Sequence, residues 1–267
     1  MNLERLTMQI PYIGITDFTS QKQVLEMSEI FLKHRLCTSR QLAVGVMMSY
    51  KTLNNIPSRW SGVFPAKESI AEIFSGRSPA YAQGAVMNTI HYADYENSAD
   101  LLSQLKRVAE YGGPNLHAIQ LDMTWPGPRA VYNFRKYFPK VKIILQIGPK
   151  AFEFLGSDPR GIISMVFSYG GCVDYVLLDK SAGKGQSLEW EGLLPFVKHL
   201  MRRVDLNVAV AGGLGPETLH LLGEIPNVCS DISIDAQAKL RPSGSSLDPI
   251  DWSMAGDYLK KALQVLS

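Results

Sequence analysis

The 267-residue chain predicts an α/β fold, a single (β/α)8 TIM barrel over residues 1–267. Three observations predict it. Eight short apolar runs alternate with helical segments along the whole chain. Those runs are apolar enough to be buried on both faces, as parallel strands are. No low-complexity linker divides the chain, so one domain is expected. An open doubly wound sheet is the alternative, and the absence of a G-x-G-x-x-G after the first strand counts against its dinucleotide-binding form.

Each element has its own signal. Gln9–Ile15 is the first strand, followed by a helix that Ser20 caps, with Gln23 completing a capping box and Val24, Met27 and Phe31 on one face. Leu42–Met48 is the second strand. The polar segment Ser49–Pro65 that follows is long enough for an active-site loop, and a short helix is expected near Lys67–Phe74. Gly84–His91 is the third strand, weakened by Asn88. Ser98–Tyr111 is helical and ends at Gly112-Gly113-Pro114. Leu116–Leu121 and Val141–Ile147 are strands four and five, with the helix Arg129–Tyr137 between them. A helix at Gly161–Ser168 leads into the sixth strand, Val173–Leu178, and Glu189–Arg202 is helical. Asn207–Ala211 is the seventh strand, Gly212 and Gly213 make a turn, and Pro216-Glu217 opens a helical stretch. Ser230–Ile234 is the eighth strand, and Asp248 caps a last helix that runs to about Leu266.

Composition bounds the function. Hydrophobic residues make up 46% and charged residues 19%, which suits a large core and excludes disorder. A formal net charge of +2, without a basic run, argues against nucleic acid as a partner. No apolar run is long enough to span a bilayer, and the N-terminus lacks a signal-peptide core, so no membrane partner is expected. Cys37, Cys172 and Cys229 are widely spaced, which argues for a reducing, cytoplasmic compartment and against a cysteine zinc site.

In a barrel of this kind catalysis belongs to residues at the C-terminal strand ends. Those positions hold Thr16, Asp17, Ser49, His91, Asp122, Gln146, Asp179, Lys180, the Gly212-Gly213 turn and Asp235. Carboxylates there can serve acid–base work, although an Asp after a strand often only caps the next turn. Asp179 stands out because it directly follows a buried run and precedes a loop, Ser181 to Glu189, that contains Gly183 and Gly185 and can close over a ligand. The Walker spacing is absent. His91 has no H-x-H or H-E-x-x-H companion, so it reads as a hydrogen-bonded structural histidine, and no metal or cofactor is expected. The glycine turn leading into a helix is suited to an anion.

These residues resemble the phosphoribosylanthranilate isomerase family of tryptophan biosynthesis. Leu177-Leu178-Asp179 with Gly183-Lys184-Gly185 and Trp190 is similar to that family's sixth-strand signature. Ala211-Gly212-Gly213-Leu214 with Pro216-Glu217 resembles its phosphate-binding turn. Gln120-Leu121-Asp122, Tyr12 to Thr16 and Asp231-Ile232-Ser233 resemble its fourth, first and eighth strands. The resemblance implies a barrel that rearranges a phosphoribosyl amine, with Asp179 as general acid and Gly183, Gly185, Gly212, Gly213, Ser233 and Asp235 around a phosphate. Two positions depart from the pattern. Ile13 stands where the family has its cysteine base, and Asp235-Ala236-Gln237 replaces the small residues of the eighth loop. An Asp there repels a dianion unless Lys239 or Arg241 compensates.

The expectation is therefore an isomerase-like barrel with altered chemistry, of the aldose–ketose type, in which Asp17 or Asp122 replaces the base. A non-catalytic binding barrel and a genuine family isomerase with a different base are the alternatives. The expected partner is a small phosphorylated ligand, and a homodimer is left open.

Overall fold

The computed structural model describes residues 9–35, 38–96, 100–155, 158–181, 188–202 and 206–267. Eight parallel strands close into a barrel in sequence order. They are β1 (Tyr12–Thr16), β2 (Gln41–Ser49), β3 (Val86–Ala93), β4 (Ala118–Asp122), β5 (Lys142–Ile147), β6 (Tyr175–Asp179), β7 (Asn207–Ala211) and β8 (Ser233–Ala236). The closing pair is β8 on β1, with Ile13 opposite Ile234 and Gly14 opposite Asp235.

Strand alternation divides the core in two. Tyr12, Ala43, Met87, Ala118, Ile144, Tyr175, Leu177 and Ala209 form one apolar cluster that fills the barrel. Their neighbours along the strands, such as Ile13, Ile15, Val44, Val46, Val176 and Leu178, belong to the larger cluster shared with the helices. Ile13, the position at which the resemblance expects a base, thus sits with the helix layer and is fully buried.

The helices follow the sequence closely at the first turn of the chain. Ser20 accepts from the Gln23 N–H and the Gln23 side chain answers the Ser20 N–H, the expected capping box for Gln21–His34. Elsewhere the boundaries shift for identifiable reasons. The first strand starts at Tyr12 because Pro11 has no N–H to give the ladder. The third starts at Val86 because Gly84 has φ +63 and turns the chain. The eighth starts at Ser233 because the buried Arg40 guanidinium takes the carbonyls of Ser230 and Ile232, which would otherwise extend the strand. Asp235 consequently lies inside β8.

Three expectations are corrected. No helix opens at Pro216-Glu217: the chain makes turns and then a four-residue 3-10 helix, Leu219–Leu222, with a four-residue α-helix, Ile225–Val228, beyond it. Thr218 Oγ1 donates to the Gly213 carbonyl at 2.7 Å, and Gly223, with φ +49, turns the chain again before a longer helix can form. The last helix, Trp252–Val265, is capped by Asp251, which accepts from Ser253 and Met254 N–H, and Asp248 instead offers its carbonyl to Arg241. A seven-residue helix at Pro149–Leu155, which no hydrophobic period foreshadowed, precedes Pro159–Phe167. The expected start of the third-loop helix at Ser98 lies outside the described residues; the helix Leu101–Gly112 is capped by Asp100.

Candidate active site

The C-terminal strand ends surround a cleft of about 930 Å3, ample for a small organic ligand. Its floor contains His91, Asp122, Gln146 and Asp179, and one wall is the segment after β2, with Ser58, Arg59, Trp60 and Phe64. Ser49 starts that wall: its hydroxyl accepts from Thr52 N–H at 3.1 Å and caps the short helix Tyr50–Leu53. Trp60 and Phe64 stack at 5.2 Å with their rings 9° from parallel, and the Arg59 guanidinium lies 4.8 Å from the Trp60 ring centre. The long polar segment Ser49–Pro65 is therefore part of the site.

The floor is a continuous hydrogen-bonded row. Asp179 ends β6, and its Oδ1 accepts from Ser181 N at 2.8 Å and Ser181 Oγ at 2.7 Å. Its Oδ2 accepts from Gln146 Nε2 at 3.2 Å. Gln146 Oε1 accepts from Gln120 Nε2 at 2.8 Å, and the same nitrogen lies 3.2 Å from His91 Nδ1. His91 Nε2 is 3.1 Å from Asp122 Oδ2, which also accepts the Tyr95 hydroxyl. Burial pushes the Asp179 carboxyl up, against the pull of its two Ser181 hydrogen bonds, and the nearby Asp122 charge adds to the rise. Burial by itself would lower His91; the hydrogen bond and charge of Asp122, with Asp235 and Asp17 beyond, outweigh it and raise the imidazole.

The other expected residues fall into separate places. Asp17 does not line the main cleft. Its Oδ2 is bound by Arg241 and by Gln237 Nε2 at 2.9 Å, and its backbone has φ +97. Ser233 is fully buried within β8, where its hydroxyl accepts from Tyr12 N and donates to Asn207 Oδ1. Gly212, Gly213 and Asp235 share a small recess of about 40 Å3 beside the cleft. Gly212 has φ +124, a conformation that favours glycine, and faces Ser181. Gly183 and Gly185, and with them residues 182–187 of the loop expected to close over a ligand, lie outside the described residues.

Asp235 governs that recess. Thr16 Oγ1 lies 3.2 and 3.3 Å from its two oxygens, and a Cβ on Gly14 would come within 2.6 Å of Oδ1, so Gly14 makes its room. Arg241, one of the two cations expected to offset this charge, is committed to Asp17, the Gln237 carbonyl and the Asp248 carbonyl; Lys239 is exposed. Burial above all, with Asp179 adding to it, lifts the Asp235 carboxyl from 3.8 to about 6. The sign of the stability effect follows. A carboxyl whose folded value exceeds its unfolded one favours the fold while protonated, and that contribution is lost as pH rises from about 4 through 6. The loss is on the order of 3 kcal/mol. Asp235→Asn is expected to remove this fall, so denaturant midpoints of the variant should gain on those of the native protein between pH 4 and pH 7. Parallel pH profiles would contradict the assignment.

Sequence reasoning took His91 as a structural histidine and missed its partnership with Asp122, the role of Gln120 and the contribution of Tyr95. The usable signal was the pair of polar positions at the ends of adjacent strands, but it needs the register, which sets His91 opposite Gln120 and Ala93 opposite Asp122.

A scan against protein-family models finds no match, nor does a search of curated proteins. Among solved structures the chain is similar to the catalytic domain of a hyperthermophilic chitinase from Pyrococcus furiosus, at 12% identity and TM-score 0.58 over 97% of both chains. It is also similar to a phospho-2-dehydro-3-deoxyheptonate aldolase from Thermotoga maritima, at 13% identity and TM-score 0.52, over 96% of this chain and 68% of that one. At these identities the likeness is one of fold, the TIM barrel, and roles have to be argued from the site itself.

Proposed function

We propose that the protein is an enzyme that moves protons within a small, sugar-like hydroxycarbonyl compound, an isomerase-like reaction. The observation that carries this reading is the row that joins two carboxyl groups, Asp179 and Asp122, across the floor of one cleft. Asp179, whose carboxyl burial pushes up, is the group suited to give a proton to a carbonyl oxygen. Asp122, hydrogen-bonded to His91 and oriented by Tyr95, accepts a proton from the adjoining carbon. The enediol that results regains a proton from Asp122 on its other carbon and returns a hydroxyl proton to Asp179, so the step balances without a redox partner.

The acidic recess at Asp235 favours an uncharged substrate over the phosphorylated one suggested by the family resemblance. The glycine turn beside it is what supports the phosphorylated form, which requires Asp235 to be protonated. Little turnover of phosphoribosyl anthranilate is expected, because the position of the family's base is occupied by Ile13, packed with the helix layer.

The test is incubation of the native chain in D2O with a panel of aldoses, ketoses, their phosphate esters and phosphoribosyl anthranilate. Deuterium should appear at the carbon beside the carbonyl in the unphosphorylated members. Exchange confined to the phosphate esters would restore the phosphorylated substrate, and exchange in none would leave a binding barrel.

A further inference from the structure

We propose that a second cavity, walled by the segments after β1, β2 and β8, binds a small organic ammonium compound, with Asp17 Oδ1 as the anchor. The cavity has a volume of about 330 Å3. Phe64 and Leu247 line both this cavity and the main cleft, so they form the partition between the two. The site is separate from the floor assigned to the reaction, and the inference stands without that assignment.

Asp17 supplies the anchor because of the way it is held. Its backbone has φ +97, a strained conformation for a residue with a side chain, and strain of this kind gathers at ligand sites. Its N–H and that of Phe18 both go to the Gly45 carbonyl, at 2.9 and 3.0 Å, which fixes the turn. The side chain is 8% exposed. Arg241 and Gln237 Nε2 both bind Oδ2, and Oδ1 has no hydrogen-bond partner among the described residues. Asp17 lines this cavity and not the main cleft, so Oδ1 is the oxygen left for a ligand. Water can hydrate Oδ1 in the free chain, but a donor that also brings a positive charge makes the stronger bond.

The charge of the lining selects a cation. Three charged residues line the cavity, Asp17, Arg241 and Asp248. The Arg241 side chain is 1% exposed and spent on Asp17 and on the carbonyls of Gln237 and Asp248, so it offers little to an anion. Asp248 is exposed and adds a second carboxylate at the rim. Two carboxylates against one guanidinium leave the lining with a net negative charge. The neutral groups agree with this sign. Thr19 Oγ1 gives its hydrogen to Gln23 Oε1 at 3.2 Å, which leaves its own lone pair as an acceptor. An ammonium carries donors only and suits both Asp17 Oδ1 and Thr19 Oγ1. Gln23 Nε2, the donor beside them, is uncharged.

The remaining walls set the body of the ligand. Val63, Phe64, Pro65, Pro249, Ile250 and Trp252 give the cavity an apolar side. Trp252 is braced against Phe18, with ring centres 4.8 Å apart. An inorganic cation takes about six oxygen ligands, and the described residues contain no group of three or more His, Cys, Asp or Glu placed to hold one. A volume of about 330 Å3 is near the lower end of the range for organic ligands, roughly 300–1,000 Å3. It suits one ring with a short arm, and the rings of Phe64 and Trp252 attract both an apolar body and a positive charge. Phe64 also stacks on Trp60 in the wall of the main cleft, so an occupant of the second cavity touches the aromatic pair that faces the first.

The experiment is a titration of the native chain at neutral pH with benzylamine, benzyl alcohol and benzoate, one-ring probes of similar size that are cationic, neutral and anionic. Binding is followed by 15N NMR at the Trp252 indole and the Gln23 carboxamide, which line this cavity alone, and at the Trp60 indole, which lines the main cleft alone. Benzylamine should shift Trp252 and Gln23 saturably, with the millimolar Kd expected of so small a ligand and at least about tenfold tighter than benzyl alcohol. Benzoate should give no saturable shift. Asp248→Asn should weaken benzylamine about two- to fivefold and leave benzyl alcohol unchanged. Asp17→Asn, which keeps the shape and removes the anchoring charge, should weaken it more than about tenfold. No saturable shift with benzylamine, shifts confined to Trp60, or an equal or higher affinity for either other probe would each overturn the proposal. Benzylamine binding that both variants leave unchanged would overturn it too. If Asp17→Asn does not fold, the three probes on the native chain and on Asp248→Asn, an exposed position, decide the matter.

Discussion

Asp179→Asn is expected to slow carbon-bound proton exchange by about 10²–10⁴-fold, the usual share of one general acid–base group. Asparagine has the same shape, and its oxygen can still accept from Ser181 N and Oγ, so the turn after β6 has no reason to move. What it lacks is a carboxyl proton. The proposed transfer therefore loses its donor while the cleft keeps its form, and ligand binding should weaken far less than turnover. The same substitution at Asp122 should remove the acceptor, with a loss in the same range. An Asp179→Asn protein that exchanges protons at the native rate would take Asp179 out of the reaction, wherever the substrate lies.

How far the sequence shows this site depends on which kind of information each residue needs. The runs at Lys142–Ile147, Tyr175–Asp179 and Asn207–Ala211 are apolar almost throughout, so burial on both faces makes these strands legible one at a time. Asp179 was legible for the same reason, since it ends such a run. The eighth strand was displaced because its start is decided by Arg40, a residue some 190 positions away in sequence. The segment after Gly213 read as helical from Pro216 and Glu217, but local propensity lost to the turns made by Thr218 and Gly223. His91 and Asp122 are 31 residues apart, and Gln120 and Gln146 are 26 apart. None of those pairs has a local signature. Only closure of the barrel, with strand polarity and register fixed, brings their side chains to one layer. Asp17 illustrates the converse: its position at a strand end was read correctly, and its environment was invisible until Arg241 arrived from the far end of the chain.

Arg241→Met is expected to destabilise the fold by about 3–5 kcal/mol, the range for removing one partner of a buried ion pair. The side chains of Arg241 and Asp17 are 1% and 8% exposed, so the pair is little screened by water in the native fold. The guanidinium also donates to the carbonyls of Gln237 and Asp248, which ties the segment after β8 to the segment before the last helix. Asp17 itself has φ +97, a strained backbone for a residue with a side chain, and the bonds from Arg241 and Gln237 help to hold it there. Methionine fills much of the volume but leaves the carboxylate with Gln237 Nε2 as its one side-chain donor among the described residues. Adding Asp17→Asn to the Arg241→Met background should recover part of the loss, because the cost of an uncompensated buried charge is removed while the two carbonyl contacts stay broken. Urea denaturation of the native chain, the single variant and the double variant separates these contributions. A single variant within about 1 kcal/mol of the native chain would mean that Asp17 is neutralised or hydrated in its place, and it would return Asp17 to consideration as a group able to exchange protons with a ligand.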